Sequence, residues 1–156
     1  MGRLIYQFKY KGDRKAGDIL SNLLTQLIKT RFTAPDFLVT VPPTVVSRVF
    51  QPTSYLTEIV SLSTGVPWDK GLIVRTRQCG MQKKLSRRSD KVRNVANLFQ
   101  VEGDNKVKGR KVLVLDDIYD SGASVNEICR VLKSKGAYYI GVVTLAKTGF
   151  DQYGLS

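Results

Sequence analysis

The chain has 156 residues and a net charge of +12, from 25 Lys and Arg against 13 Asp and Glu, and it contains no histidine. Its two cysteines, Cys79 and Cys129, stand far apart, so a Cys-x-x-Cys zinc site, a histidine-based triad and a disulfide framework are all unsupported. No apolar stretch approaches the roughly 20 residues that cross a bilayer, and MGRLIYQFKYKGDRK lacks the apolar core of a signal peptide; one cytoplasmic globular domain over 1–156, without membrane insertion, is expected.

In chain order, residues 17–30 (GDILSNLLTQLIKT) space leucine and isoleucine as an amphipathic helix does. Residues 37–41 (FLVTV) predict a short strand, stopped by Pro42 and Pro43. A second helix is expected over 53–64, capped by Thr53 or Ser54 and ended by Gly65 and Pro67. Residues 72–74 read as a strand, and 81–92 as a charged loop or arm without periodicity. A returning strand follows over 97–101. Residues 112–115 (VLVL) form an apolar run without polar alternation, the pattern of a strand covered on both faces. A helix over 123–135 and a buried strand over 139–145 (YIGVVTL) complete the chain. This alternation predicts an α/β fold with a mostly parallel sheet.

The segment VLVLDDIYDSGAS, residues 112–124, carries the chemistry. Asp116 and Asp117 follow the apolar run, where open α/β sheets place their ligands. Two adjacent carboxylates repel one another and need compensation, which vicinal hydroxyls or a divalent cation supply. Asp120, Ser121, Gly122, Ala123 and Ser124 then make a tight turn into a helix whose free N–H groups and dipole favour a phosphate. Carboxylates for hydroxyls and bare N–H groups for phosphate suit a sugar phosphate. The cations cluster as well: Arg75, Arg77, Lys83, Lys84, Arg87, Arg88, Lys91 and Arg93 face Asp90 alone over 75–93, and Arg3, Lys9, Lys11, Arg14 and Lys15 form a second group. Such runs suit a polyanion, whether a phosphorylated substrate or a nucleic acid.

The 112–124 segment resembles the phosphoribosyl-pyrophosphate (PRPP) motif of type I phosphoribosyltransferases. Further segments, FKYKGD, VTVPPTVVSRVFQPTSYLTEIVSLSTGVP and VRTRQCGMQKKLSRRSDKVRNVANLFQV, are similar to the ComF-type branch of that family. The chain departs from the branch in three places. It shows no cysteine-rich zinc segment, Arg48, Val49, Phe50 and Gln51 replace an Arg-Gly-Phe-Asn, and Asp120 to Ser124 replace a Thr-Thr-Gly-x-Thr loop.

The resemblance implies a five-stranded, mostly parallel sheet flanked by helices, a flexible loop at about 75–96 and a small hood from 1–16 and 147–156. It implies that Asp116 and Asp117 hold the ribose hydroxyls and Mg²⁺, directly or through ribose and water, and that Asp120, Ser121, Gly122, Ala123 and Ser124 bind ribose and the 5′-phosphate. Pro42, Pro43 and Thr44 fall on the pyrophosphate loop, where a strained or cis peptide commonly turns N–H groups to the diphosphate. Arg75, Arg77, Arg88 and Arg93 are candidates for the leaving diphosphate. Phe8, Tyr10, Phe150 and Tyr153 are available in the hood to stack on a base. Asp120 either meets an incoming nitrogenous base or caps the helix. The implied activity is Mg²⁺-dependent phosphoribosyl transfer with release of pyrophosphate. The alternatives are a ComF-type protein of DNA uptake, with single-stranded DNA as partner and the PRPP site as sensor or relic, and a purine salvage enzyme. Members often dimerise, although no residue here requires it.

Overall fold

The computed structural model describes residues 1–43, 50–76, 95–103 and 105–148. It begins with a helix absent from the expected elements, α1 (Gly2–Lys11). This helix has no side-chain cap and no acid in its first turn, so ten residues alone would be a marginal helix in water. Burial of Ile5 and Phe8 holds it against the next helix. It stops at Gly12, in the left-handed conformation, where the N–H groups of Gly12 and Asp13 donate to Phe8 and Gln7 carbonyls at 3.1 and 3.2 Å. Asp13 then caps α2 (Arg14–Arg31), its Oδ1 accepting from the N–H of Lys15 at 3.0 Å and of Ala16 at 3.3 Å. That cap starts the helix earlier than the leucine spacing alone suggests.

Helix α3 (Pro52–Thr64) opens with a proline in its first turn and packs on α2. The approach is close at Gly17, where a Cβ would stand 2.6–2.9 Å from Phe8 and Tyr55. Phe8, Phe50 and Tyr55 interlock there, with ring centroids 5.5–5.8 Å apart.

The sheet has β1 (Phe37–Thr40), β4 (Lys111–Tyr119) and β5 (Tyr139–Lys147) in the order β1-β4-β5, all parallel. Two further strands, β2 (Ile73–Arg75) and β3 (Phe99–Val101), form a separate antiparallel pair. Five strands therefore occur among the described residues, divided between a parallel core and the stem of the basic 75–96 segment. Helix α4 (Ala123–Ser134) joins β4 to β5.

Side chains alternate across β4. Leu113 and Leu115 pack into the core built by α1, α2 and α3. Val112 and Val114 pack on the other side, with Ile128 and Leu132 of α4 and with Ile73, Leu98 and Phe99. Both faces of β4 are covered, as its unbroken apolar run predicts; each buried Val or Leu stabilises by roughly 1.5–3 kcal/mol.

One boundary differs in a way that shapes the site. β4 does not end with its apolar run but continues to Tyr119, because β5 pairs with it as far as Tyr119↔Lys147. β1 has stopped by then, its last pair being Thr40↔Leu115. Asp116 and Asp117 thus lie inside a strand that has a neighbour on one edge and a notch on the other.

Candidate functional site

The notch opens into two adjoining clefts. One, of about 610 Å³, is lined by Lys9, Val41, Pro42, Pro43, Gln51, Pro52, Thr53, Arg75, Asp116, Asp117 and Ser124. The other, of about 250 Å³, is lined by Asp116, the turn through Ser121, Gly122 and Ala123 to Ser124, and Val95. Asp116 and Ser124 belong to both. The acid pair therefore stands between a glycine turn at a helix start and a proline turn at a strand end.

The carboxylates are held by their own backbone and by a partner from the first helix. Asp116 Oδ1 accepts from the Asp117 N–H at 2.9 Å, and Asp117 Oδ1 accepts from the Ile118 N–H at 2.8 Å. Asp117 Oδ2 is 2.7 Å from Lys9 Nζ. Burial, together with the negative charge of Asp117, pushes the Asp116 carboxyl up to about 7, against which the Asp117 N–H and Lys9 act more weakly. Near neutrality the pair shares its charge with a proton and an ammonium group.

The turn is built around Gly122, at φ 74°. A side chain there would be strained and would also run into the hydroxyl and ring of Tyr119. Gly122 is the N-cap residue of α4 and has no side chain to cap with, so the helix-start N–H groups keep the character of an anion site. Ser121 Oγ accepts from the Ala123 N–H at 3.3 Å, which leaves the hydroxyl proton free to donate outward. Asp120 is exposed, and its Oδ1 accepts from Thr148 Oγ1 at 3.1 Å. The N-cap role belongs to the Gly122 position, not to Asp120.

On the proline side, no cis peptide occurs among the described residues. Pro42 and Pro43 have no N–H to offer an anion, and the Pro42 carbonyl accepts from Arg75 Nε and Nη2 at 3.2 and 3.0 Å. The Arg75 guanidinium also lies over the Phe99 ring, 5.1 Å from its centroid. Arg75 is thus a cation fixed beside the turn. Thr44, Arg77, Arg88, Arg93, Phe150 and Tyr153 lie outside the described residues. Phe8 is fully buried and belongs to the core, so it presents no face to a base. Tyr10 is exposed and packs against Tyr6, with ring centroids 5.3 Å apart and planes tilted by 37°.

Sequence reading missed Lys9, Gln51, Thr53 and Val95 as lining residues. For Lys9 a signal existed: Leu4, Ile5 and Phe8 at helical spacing put residue 9 beside the buried stripe. Val95 begins the turn into β3, and that turn is tied to α4. Glu127 Oε1 accepts from the Asn97 N–H at 2.7 Å, and its two oxygens receive Arg130 Nη2 and Nε at 2.7 and 2.8 Å. Arg130 and the Asn97 N–H hold the Glu127 carboxyl below the usual range. Glu127→Ala, which strips both donors of their acceptor, is expected to lower stability by about 1–3 kcal/mol in urea unfolding; an unchanged midpoint would show that this clamp carries no weight.

Among the described residues no group of three or more His, Cys, Asp or Glu side chains is placed to hold a metal ion. Asp116 and Asp117 fit an ion such as Mg²⁺, which takes most of its oxygens from water and substrate phosphates. No described helix is long and apolar enough to cross a membrane.

Comparison with known proteins agrees with the fold. The chain is 32% identical over 153 residues to the DNA utilization protein YhgH of Escherichia coli K12, an alignment that covers 93% of this chain and 66% of that protein. The chain thus spans about two thirds of that relative's length. Its fold matches adenine phosphoribosyltransferase from Leishmania donovani with a TM-score of 0.57 at 12% identity, over 90% of this chain and 56% of that one. It also matches the glutamine PRPP amidotransferase of B. subtilis with a TM-score of 0.55 at 18% identity, over 83% of this chain and 26% of that one. Residues 15–153, which include every described strand and the glycine turn, match the phosphoribosyl transferase domain, and the chain belongs to that family, related to its ComF and YhgH branch.

Proposed function

We propose that the protein binds Mg²⁺-PRPP across the two clefts and acts with nucleic acid, using PRPP as the metabolite it senses. One observation carries the ligand: the acid pair stands between a phosphate-type turn and a second turn flanked by a fixed cation. A ribose with a phosphate at one end and a diphosphate at the other needs its sites in that order. In this reading Asp116 and Asp117 accept from the ribose hydroxyls. The N–H groups and hydroxyls of Ser121 to Ser124 hold the 5′-phosphate at the start of α4. Pro42 and Pro43 line the diphosphate end beside Arg75, with Thr44, Arg77 and Arg88 as further candidates. Bound Mg²⁺ supplies charge stabilisation at the diphosphate oxygens.

The nucleic-acid role is supported by the kinship with proteins named for DNA utilization and by the +12 net charge. Phosphoribosyl transfer to a nitrogenous base is the second reading, favoured by the exposed Asp120 carboxylate at the rim of the turn, where it can orient an incoming nitrogen. Calorimetric titration with Mg²⁺-PRPP tests the shared ligand, and absence of binding sinks both readings. Single-stranded DNA binding that falls steeply with salt, without pyrophosphate release, favours the first. Pyrophosphate released when a base is offered puts the second in its place.

A further inference from the structure

We infer that Lys9 is a ligand-contacting residue of this site, a cation that holds the acid pair in the free protein and passes to the diphosphate when ribose takes Asp117. The inference rests on the PRPP reading above. Lys9 Nζ is 2.7 Å from Asp117 Oδ2, and its side chain is only 22% exposed. The same cleft is lined by Pro42, Pro43 and Arg75. Asp117 Oδ1 already accepts from the Ile118 N–H, which makes Oδ2, facing Lys9, the more available oxygen for a ribose hydroxyl. A hydroxyl bound there meets the Lys9 ammonium and displaces it.

Where Lys9 goes follows from charge. PRPP remains anionic even with one Mg²⁺, and of Lys9 and Arg75, the cations lining this cleft among the described residues, Arg75 is committed in part to the Pro42 carbonyl. A lysine head on a four-carbon stem can turn to a new acceptor without movement of its helix, and α1 is anchored by Ile5 and Phe8 on the adjoining side. An ammonium within reach of a diphosphate in a partly buried cleft becomes its counter-ion rather than returning to water.

Lys9→Met keeps the stem and removes the charge. Affinities for Mg²⁺-PRPP and for ribose 5-phosphate, which lacks the diphosphate, are measured side by side in the same Mg²⁺ buffer on wild type, Lys9→Met and Lys9→Arg. The expected result is a loss of roughly tenfold or more in Mg²⁺-PRPP affinity for Lys9→Met, with ribose 5-phosphate unchanged or tighter and with most of the loss restored in Lys9→Arg. Equal losses for both ligands would make Lys9 a scaffold residue. No change for either would make it a bystander, and tighter Mg²⁺-PRPP binding would make it a plug; each of these overturns the inference while leaving the PRPP reading intact. If wild type binds neither ligand, that reading fails and the Lys9 role fails with it.

Discussion

Asp117→Asn is expected to weaken Mg²⁺-PRPP binding by roughly 10- to 100-fold while the protein stays folded. A hydrogen bond to a charged group is worth about 1.5–3 kcal/mol, and about 1.4 kcal/mol is a factor of ten in affinity. Asparagine keeps an oxygen for the Ile118 N–H, which donates to Asp117 Oδ1 at 2.8 Å, so local strand geometry is retained. It removes the charge that Lys9 faces and that ribose hydroxyls would use. It also relieves Asp116, whose carboxyl is raised by burial and then by Asp117. The thermal midpoint should therefore hold, and a large fall in it would mean that the Lys9–Asp117 pair is chiefly structural. Calorimetry on wild type and variant reads the affinity, and equal binding would remove the acid pair from the ligand site.

The second expected result is a dependence on pH that turns on Asp116. Its carboxyl, raised to about 7, stays protonated in the folded protein over a range where the unfolded chain, at about 3.9, has lost the proton. The folded state then binds more protons than the unfolded one, so this group's contribution makes stability fall as pH rises from about 4 to about 7, with no further change above. Asp116→Asn removes that slope. The variant should gain on wild type by on the order of 5 °C in thermal midpoint between pH 5 and pH 8. Ligand binding carries the opposite sign, because ribose hydroxyls donate best to an ionised carboxylate. At pH 6 wild type should release about one proton per Mg²⁺-PRPP bound, and affinity should rise about tenfold between pH 6 and pH 8. Titrations at pH 6 in buffers of different ionisation heat count the protons. Release that is the same in Asp116→Asn would assign the proton to the ligand and not to Asp116.

The α1 segment carries Lys9 into the cleft and also presents the exposed pair Tyr6 and Tyr10 to solvent. Leu4, Ile5 and Phe8 give α1 a helical spacing, but so short a basic segment reads as part of a hood. It becomes a helix only because Phe8 has a pocket between Gly17, Phe50 and Tyr55 to fill.

Much was nevertheless legible from residues alone. Val112 to Leu115, apolar without alternation, suit a strand covered on both sides, and two cores cover it. Asp116 and Asp117 with a Gly122 turn announced carboxylates beside a helix start, because residue type sets what a group can donate or accept and because a positive φ selects glycine. Such properties are local and survive any arrangement of the rest of the chain. The tertiary structure alone decided the other half. It ran β4 on through the acid pair, since strand length is set by the pairing available from β5. It set the Arg75 guanidinium on the Pro42 carbonyl. It also brought Lys9, from the opposite end of the sequence, to within 2.7 Å of Asp117. An ion pair of that kind leaves no periodic trace in sequence, because its geometry depends on the packing of α1 against α2 and not on either residue's neighbours.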